Sequence, residues 1–171
     1  MILASVLAVS SATAVQANFT AEATVRPGLA DVKKAILVTV RCHELFNCDD
    51  VERRVLADFI RLKVPFSIVA PTLVQSKLLD LGVEDYSVEM RSRLAEAFEA
   101  NALVELELLH GEARSLGRSG SEVAVKMRIV APSGEILMIG SGAGRAINTV
   151  SAPESIAQET FERILKKAFD R

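Results

Sequence analysis

The chain has 171 residues, enough for one domain with a real core and too few for two comfortable ones. Half of it is hydrophobic and a quarter is charged, which is globular composition and excludes a largely disordered chain. A formal charge of −2, with Lys33-Lys34 and Lys166-Lys167 as its only adjacent lysines, gives no electrostatic footprint for nucleic acid.

Residues 1–17 carry no charge and end Val15-Gln16-Ala17, with small residues at the −1 and −3 positions of a signal-peptidase site. They read as a signal peptide cleaved before Asn18, too short and too polar for a membrane span. A signal peptide ordinarily opens on Lys or Arg and this one does not, which leaves room for a start upstream. Residues 18–34 read as a flexible mature N-terminus with a turn at Pro27-Gly28, and residues 35–171 as a single α/β domain.

That domain opens on Ala35-Ile-Leu-Val-Thr-Val40, a β-branched apolar run of strand length. Cys42 and Cys48 follow in Arg41-Cys-His-Glu-Leu-Phe-Asn-Cys48. A close pair in an exported chain points to a disulfide. Zinc would have to recruit His43 and His110, in a spacing that fits no recurrent zinc pattern, so no metal is expected. Asp49-Asp50 start a helix whose apolar residues Val51, Val55, Leu56 and Phe59 recur at helical spacing until Pro65 ends it. Phe66 to Ala70 is a second strand. Pro71-Thr72 open a helix that stops at Gly82, and a third helix is expected over about Tyr86 to Ala100.

From Ala102 the period changes from helical to alternating, beginning a long strand that runs toward Ser115. A turn is expected at Gly117-Arg-Ser-Gly120. Beyond it Val123, Val125, Met127 and Ile129 alternate with Ala124, Lys126, Arg128 and Val130, the mark of a half-buried antiparallel strand. Pro132-Ser-Gly134 turns the chain into a last strand, Glu135 to Ala146. Its apolar run Ile136 to Ile139 reads as central and covered on both sides. Ser151-Ala-Pro-Glu154 has capping-box spacing and opens a final helix. The order is β-α-β-α-α-β-β-β-α: one mixed sheet, an antiparallel meander at its C-terminal end, and helices packed on it.

No catalytic constellation emerges. Gly140-Ser-Gly142-Ala-Gly144 lacks the Lys-Ser or Lys-Thr and the following helix of a phosphate loop. Glycines at alternate positions on a strand instead leave room for a helix, a bulge or a neighbouring chain. No Gly-x-Ser-x-Gly elbow or His-Glu-x-x-His is present. Glu105 and Glu107 share one face of a strand and read as its solvent side. No cofactor is expected.

Four places together resemble the domain shared by CsgG, LpoB, PelC and the N-terminal part of TolB. They are the strand Ala35–Val40; Phe66-Ser-Ile-Val69 with the leucine-rich helix to Gly82; the helix-to-strand corner Leu94 to Val104; and the hairpin Ala131-Pro-Ser-Gly-Glu-Ile-Leu137 leading to Gly140–Gly144. The corner reads Ala100-Asn101-Ala102 where the family has Gly-Ala-Asp, and the lipid-bearing cysteine is absent from this numbering. The resemblance implies a non-catalytic accessory protein of the Gram-negative periplasm or envelope. Its partners would be other envelope proteins of a secretion, polysaccharide-export or cell-wall machine, and it could form a homo-oligomer. The rival readings are an exported enzyme, a hydrolase or thiol oxidoreductase, and a small-ligand carrier, for which one Tyr and no Trp supply few aromatics.

Overall fold

A computed structural model describes residues 16–42, 46–82, 87, 89–115, 118–147 and 152–169. The alternating segments pair as the sequence pattern requires. Strands β4 (Ala102–Ser115), β5 (Arg118–Val130) and β6 (Ile136–Ile147) form the antiparallel meander. Strand β2 (Lys34–Cys42) lies parallel to β4 on one side and to the short β3 (Ser67–Val69) on the other. Helices α1 (Cys48–Arg61), α2 (Pro71–Asp80), α3 (Met90–Ala97) and α4 (Pro153–Phe169) pack on this one mixed sheet, in the expected order.

The largest departure lies at the N-terminal end. The expectation of a flexible segment over 18–34 is overturned, because Gln16–Val25 form a further strand, β1, antiparallel to β6 along its whole length. A short 3-10 turn, Pro27–Asp31, then leads to β2. The sheet therefore has six strands in the order β1-β6-β5-β4-β2-β3. Of the expected signal peptide, residues 1–15 lie outside the described residues, and Gln16 and Ala17 open β1.

Smaller corrections follow from pairing. Arg118 to Gly120 belong to β5, since Gly120 sits between Ala113 of β4 and Ile147 of β6, and pairing on both sides keeps it in the ladder. Helix α3 is shorter than expected, starting at Met90; Tyr86 lies outside the described residues. Ser151 does too, so no capping box is described.

The two faces of the sheet are covered unequally. Leu37, Leu106, Val125 and Met127 point toward α1 and α4 and are essentially solvent-free. Phe161 of α4 meets Phe59 of α1 edge-on, and Phe59, Phe66 and Phe169 continue that aromatic chain. Each ring of this kind, once buried, stabilises by about 1.5–3 kcal/mol. On the opposite face, α2 and α3 cover a smaller cluster, Ile36, Val38, Val69, Leu103 and Val130, through Val74, Leu78 and Leu94. The remainder of that face is open.

Helix α4 sits close to the sheet because β6 offers it almost no side chain. A Cβ placed at Gly140 or Gly144 would collide with Ile164 or with Ile156. At Gly142 it would stand 2.7 Å from the Thr20 carbonyl oxygen and 2.8 Å from the Thr160 methyl. The glycines therefore form a groove for the helix, as their alternate spacing suggests. Thr160, wholly buried, satisfies its hydroxyl by donating to the Ile156 carbonyl at 2.8 Å.

An ion network closes the α1–α4 seam. Arg61 bridges Asp58 at 2.9 Å and Glu162 at 2.6 Å, Lys166 adds a second cation to Glu162, and Gln158 donates to Asp58. The Arg61 hydrogen bond, then that of Lys166, holds the Glu162 carboxyl below the ordinary carboxylate range. A depressed carboxylate contributes stability that is full above its unfolded pKa and fades as pH falls through the folded one.

Three substitutions check the packing and the seam. Gly142→Ala should destabilise the fold by about 1–3 kcal/mol in denaturant titration, because neither the Thr20 backbone nor Thr160 can retreat without cost. Gly111→Ala in β4, where a Cβ meets nothing within 4 Å, should be neutral or gain up to about 1 kcal/mol. Glu162→Gln should lower stability at neutral pH, with the deficit closing below about pH 4 as the wild-type carboxylate protonates.

Candidate partner-binding surface

The open part of the sheet face is built by strand register. Arg41, Glu107, Lys126, Ser141 and Glu22 stand in one row across β2, β4, β5, β6 and β1. The adjacent row carries Glu105, Arg128, Ile139 and Thr24. Together they floor a groove of 460 Å³ bordered by Val38, Arg41, Glu105, Lys126, Arg128 and Ile139. Charge sign alternates along the rows, so the groove carries no strong single-sign field. Such a surface selects a partner by short-range complementarity.

Glu105 anchors the groove. Arg91 of α3 reaches it at 2.7 Å and Arg128 of β5 at 2.8 Å, while Glu107 and Lys126 stand 3.9 Å apart in the more exposed row. The sequence places both glutamates on the solvent side; the structure leaves only 15% of the Glu105 side chain exposed. Ile139 departs as well. It is 44% exposed, because α2 and α3 end short of it, so the run Ile136–Ile139 is covered on both sides only at its beginning. Leu109, 43% exposed, adds a second apolar contact on the same face.

The cysteines lie at the end of β2. Cys42 closes the strand, Cys48 opens α1, and the two are joined with their Cα atoms 6.0 Å apart. Asn47 caps α1 by accepting from the Asp50 backbone N–H, and the Glu154 carboxylate accepts from the Asn47 N–H at 3.1 Å. Phe46, between the two cysteines in sequence, is buried edge-on to His110 at 5.8 Å. The Nε2 of His110 is buried and has no hydrogen-bond partner, and His43 lies outside the described residues. Among the described residues, no three His, Cys, Asp or Glu side chains come together as a metal site, and no helix is long and apolar enough to cross a membrane. At the opposite end of the molecule, Pro27, Leu29, Pro65 and Phe169 line an apolar recess of 650 Å³.

Asn101, at the helix-to-strand corner, ties the β1–β2 connection down. Its carbonyl accepts from the Lys33 and Lys34 N–H groups and its amide donates to the Asp31 carbonyl at 2.8 Å. The disulfide closes a loop with a sequence separation of 6, for which chain entropy gives about 2 kcal/mol. The Cys42→Ser, Cys48→Ser double variant should therefore lose about 2 kcal/mol in denaturant titration while keeping its far-ultraviolet circular dichroism.

No protein-family model and no curated protein matches the chain. Solved structures do. A PelC dodecamer from Paraburkholderia phytofirmans superposes with a TM-score of 0.61 and 16% identity, over 88% of this chain and 96% of that one. The lipoprotein GNA1162 from Neisseria meningitidis superposes with a TM-score of 0.56 and 13% identity, over 79% of this chain and 96% of that one. The resemblance to the PelC type of domain holds at the level of the fold: this chain has the fold of PelC and GNA1162.

Proposed function

We propose that this chain is an exported, non-catalytic accessory protein of the Gram-negative cell envelope that works by associating with itself and with envelope partners. The observation that carries the reading is the shared fold, which spans nearly all of a protein that forms a dodecamer. The Cys42–Cys48 bridge supports an oxidising compartment. The alternating charge rows and the exposed Ile139 and Leu109 suit a protein partner better than a small substrate. A secretion, polysaccharide-export or cell-wall machine is the expected setting.

Fractionation of the native host, with intact mass and alkylation, tests the export half of this reading. The expected product starts at Asn18, sits in the periplasmic or envelope fraction, and takes up no thiol label without reductant. A full-length cytosolic product labelled at both cysteines would overturn it. Sedimentation velocity on the same material tests the other half. A species larger than the 18.5 kDa chain is expected, and a monomer at every concentration would remove self-association.

A further inference from the structure

Exposed strand edges recruit other strands, and folded proteins usually blunt them. Two of the open edge segments here are blunted. Strand β3 has only three residues, Ser67–Val69. Where β2 runs on beyond β3, α1 packs against it and the Glu52 carboxylate lies near the Val40 backbone N–H, covering that edge. The third edge, β1, is ten residues long, Asn18–Val25 of it retained in the product proposed above, and has no Pro, Lys or Arg, with Glu22 as its only charge. Nothing in its sequence discourages pairing.

Its backbone turns alternate residues outward. The Thr20 carbonyl oxygen turns toward Gly142, and that of Glu22 toward Gly140, so the even-numbered residues spend their hydrogen bonds on β6. The backbone groups of Phe19, Ala21 and Ala23 then point outward. Helix α4 packs on both β1 and β6, and its flank along this edge carries Glu159 and Arg163, paired at 2.8 Å. Arg163 lies over the Phe19 ring at 4.9 Å, which fixes it on the β1 side.

From these features we infer that β1 pairs antiparallel with β1 of a second copy across a two-fold axis through Ala21. The inference rests on the self-association proposed above and names its surface. In this register Asn18–Thr24 face their own copies. Ala21 meets Ala21, Phe19 meets Ala23, and Glu22 meets Thr20, so no like charges oppose. With strands about 4.8 Å apart and α4 seated over β6, the two α4 helices stand about 14 Å apart, a gap that Glu and Arg side chains reaching from both helices can span. The helices run antiparallel, so Glu159 of each faces Arg163 of the other. The same patch is complementary to itself, which is what a two-fold interface requires.

The test uses sedimentation equilibrium on the exported chain and three variants, each checked for folding by circular dichroism. Ala21→Pro deletes an outward N–H and leaves the β1–β6 ladder intact, so association should weaken by about tenfold or more. Arg163→Glu should weaken it several-fold by opposing Glu159. The swapped double variant, Glu159→Arg with Arg163→Glu, keeps the pairing within the helix and should restore association. That rescue decides the matter even where Ala21→Pro fails to fold. Association unchanged by Arg163→Glu would overturn the β1 interface while leaving self-association standing. A wild-type chain that stays monomeric would overturn self-association itself.

Discussion

The structure depends on how closely α4 approaches β6. Three glycines at alternate positions remove the side chains that would hold the helix off the sheet, and Ile156, Thr160 and Ile164 settle into the space. That contact fixes the height of α4 above the sheet. The height in turn determines what can lie beside it: β1 fits against β6 because Ala21 and Ala23 are small enough to pass beneath the same helix. The α1–α4 ion network, Arg61 with Asp58 and Glu162, then holds the helix from its other side. A side chain at any of the three glycines would lift α4 and loosen β1, the seam and the edge together.

Unequal cover follows from chain order. The crossover from β2 to β3 puts α1 on the face that α4 later occupies, while α2 and α3 fall on the other and reach only its lower half. What remains open is not apolar enough to collapse onto itself. It presents rows of alternating charge, with Ile139 inside one of them and Leu109 in the row beyond. A surface that compensates its own charges in this way offers specific short-range contacts without a strong single-sign field, as the proposed partner-binding role requires.

Much of this was legible in the chain. The alternation of Val123 to Ile129, the apolar period of α1 and α4, the proline and glycine punctuation and the glycine groove all follow from local chemistry. Strand β1 was not legible, and the reason is physical. Two of its four inward residues, Ala21 and Ala23, are alanines lying close beneath α4, and directly after an alanine-rich leader that leaves only Phe19 and Val25 to mark the alternation. The Arg91–Glu105–Arg128 clasp and the exposure of Ile139 were hidden for another reason. Both depend on where α2 and α3 stop, and no local pattern specifies that. Asn101 stood in the corner where the resemblance departs from its family, yet its three backbone partners come from a segment some 70 residues earlier.

Residue-resolved amide hydrogen exchange along β1, at concentrations above and below association, tests most directly whether this edge is both part of the sheet and the contact between copies. The account predicts that Thr20 and Glu22 stay protected throughout, while Phe19, Ala21 and Ala23 exchange fast in the monomer and slow sharply on association. Fast exchange at the odd positions in a fully associated sample would contradict the interface. Fast exchange at the even positions would contradict the strand.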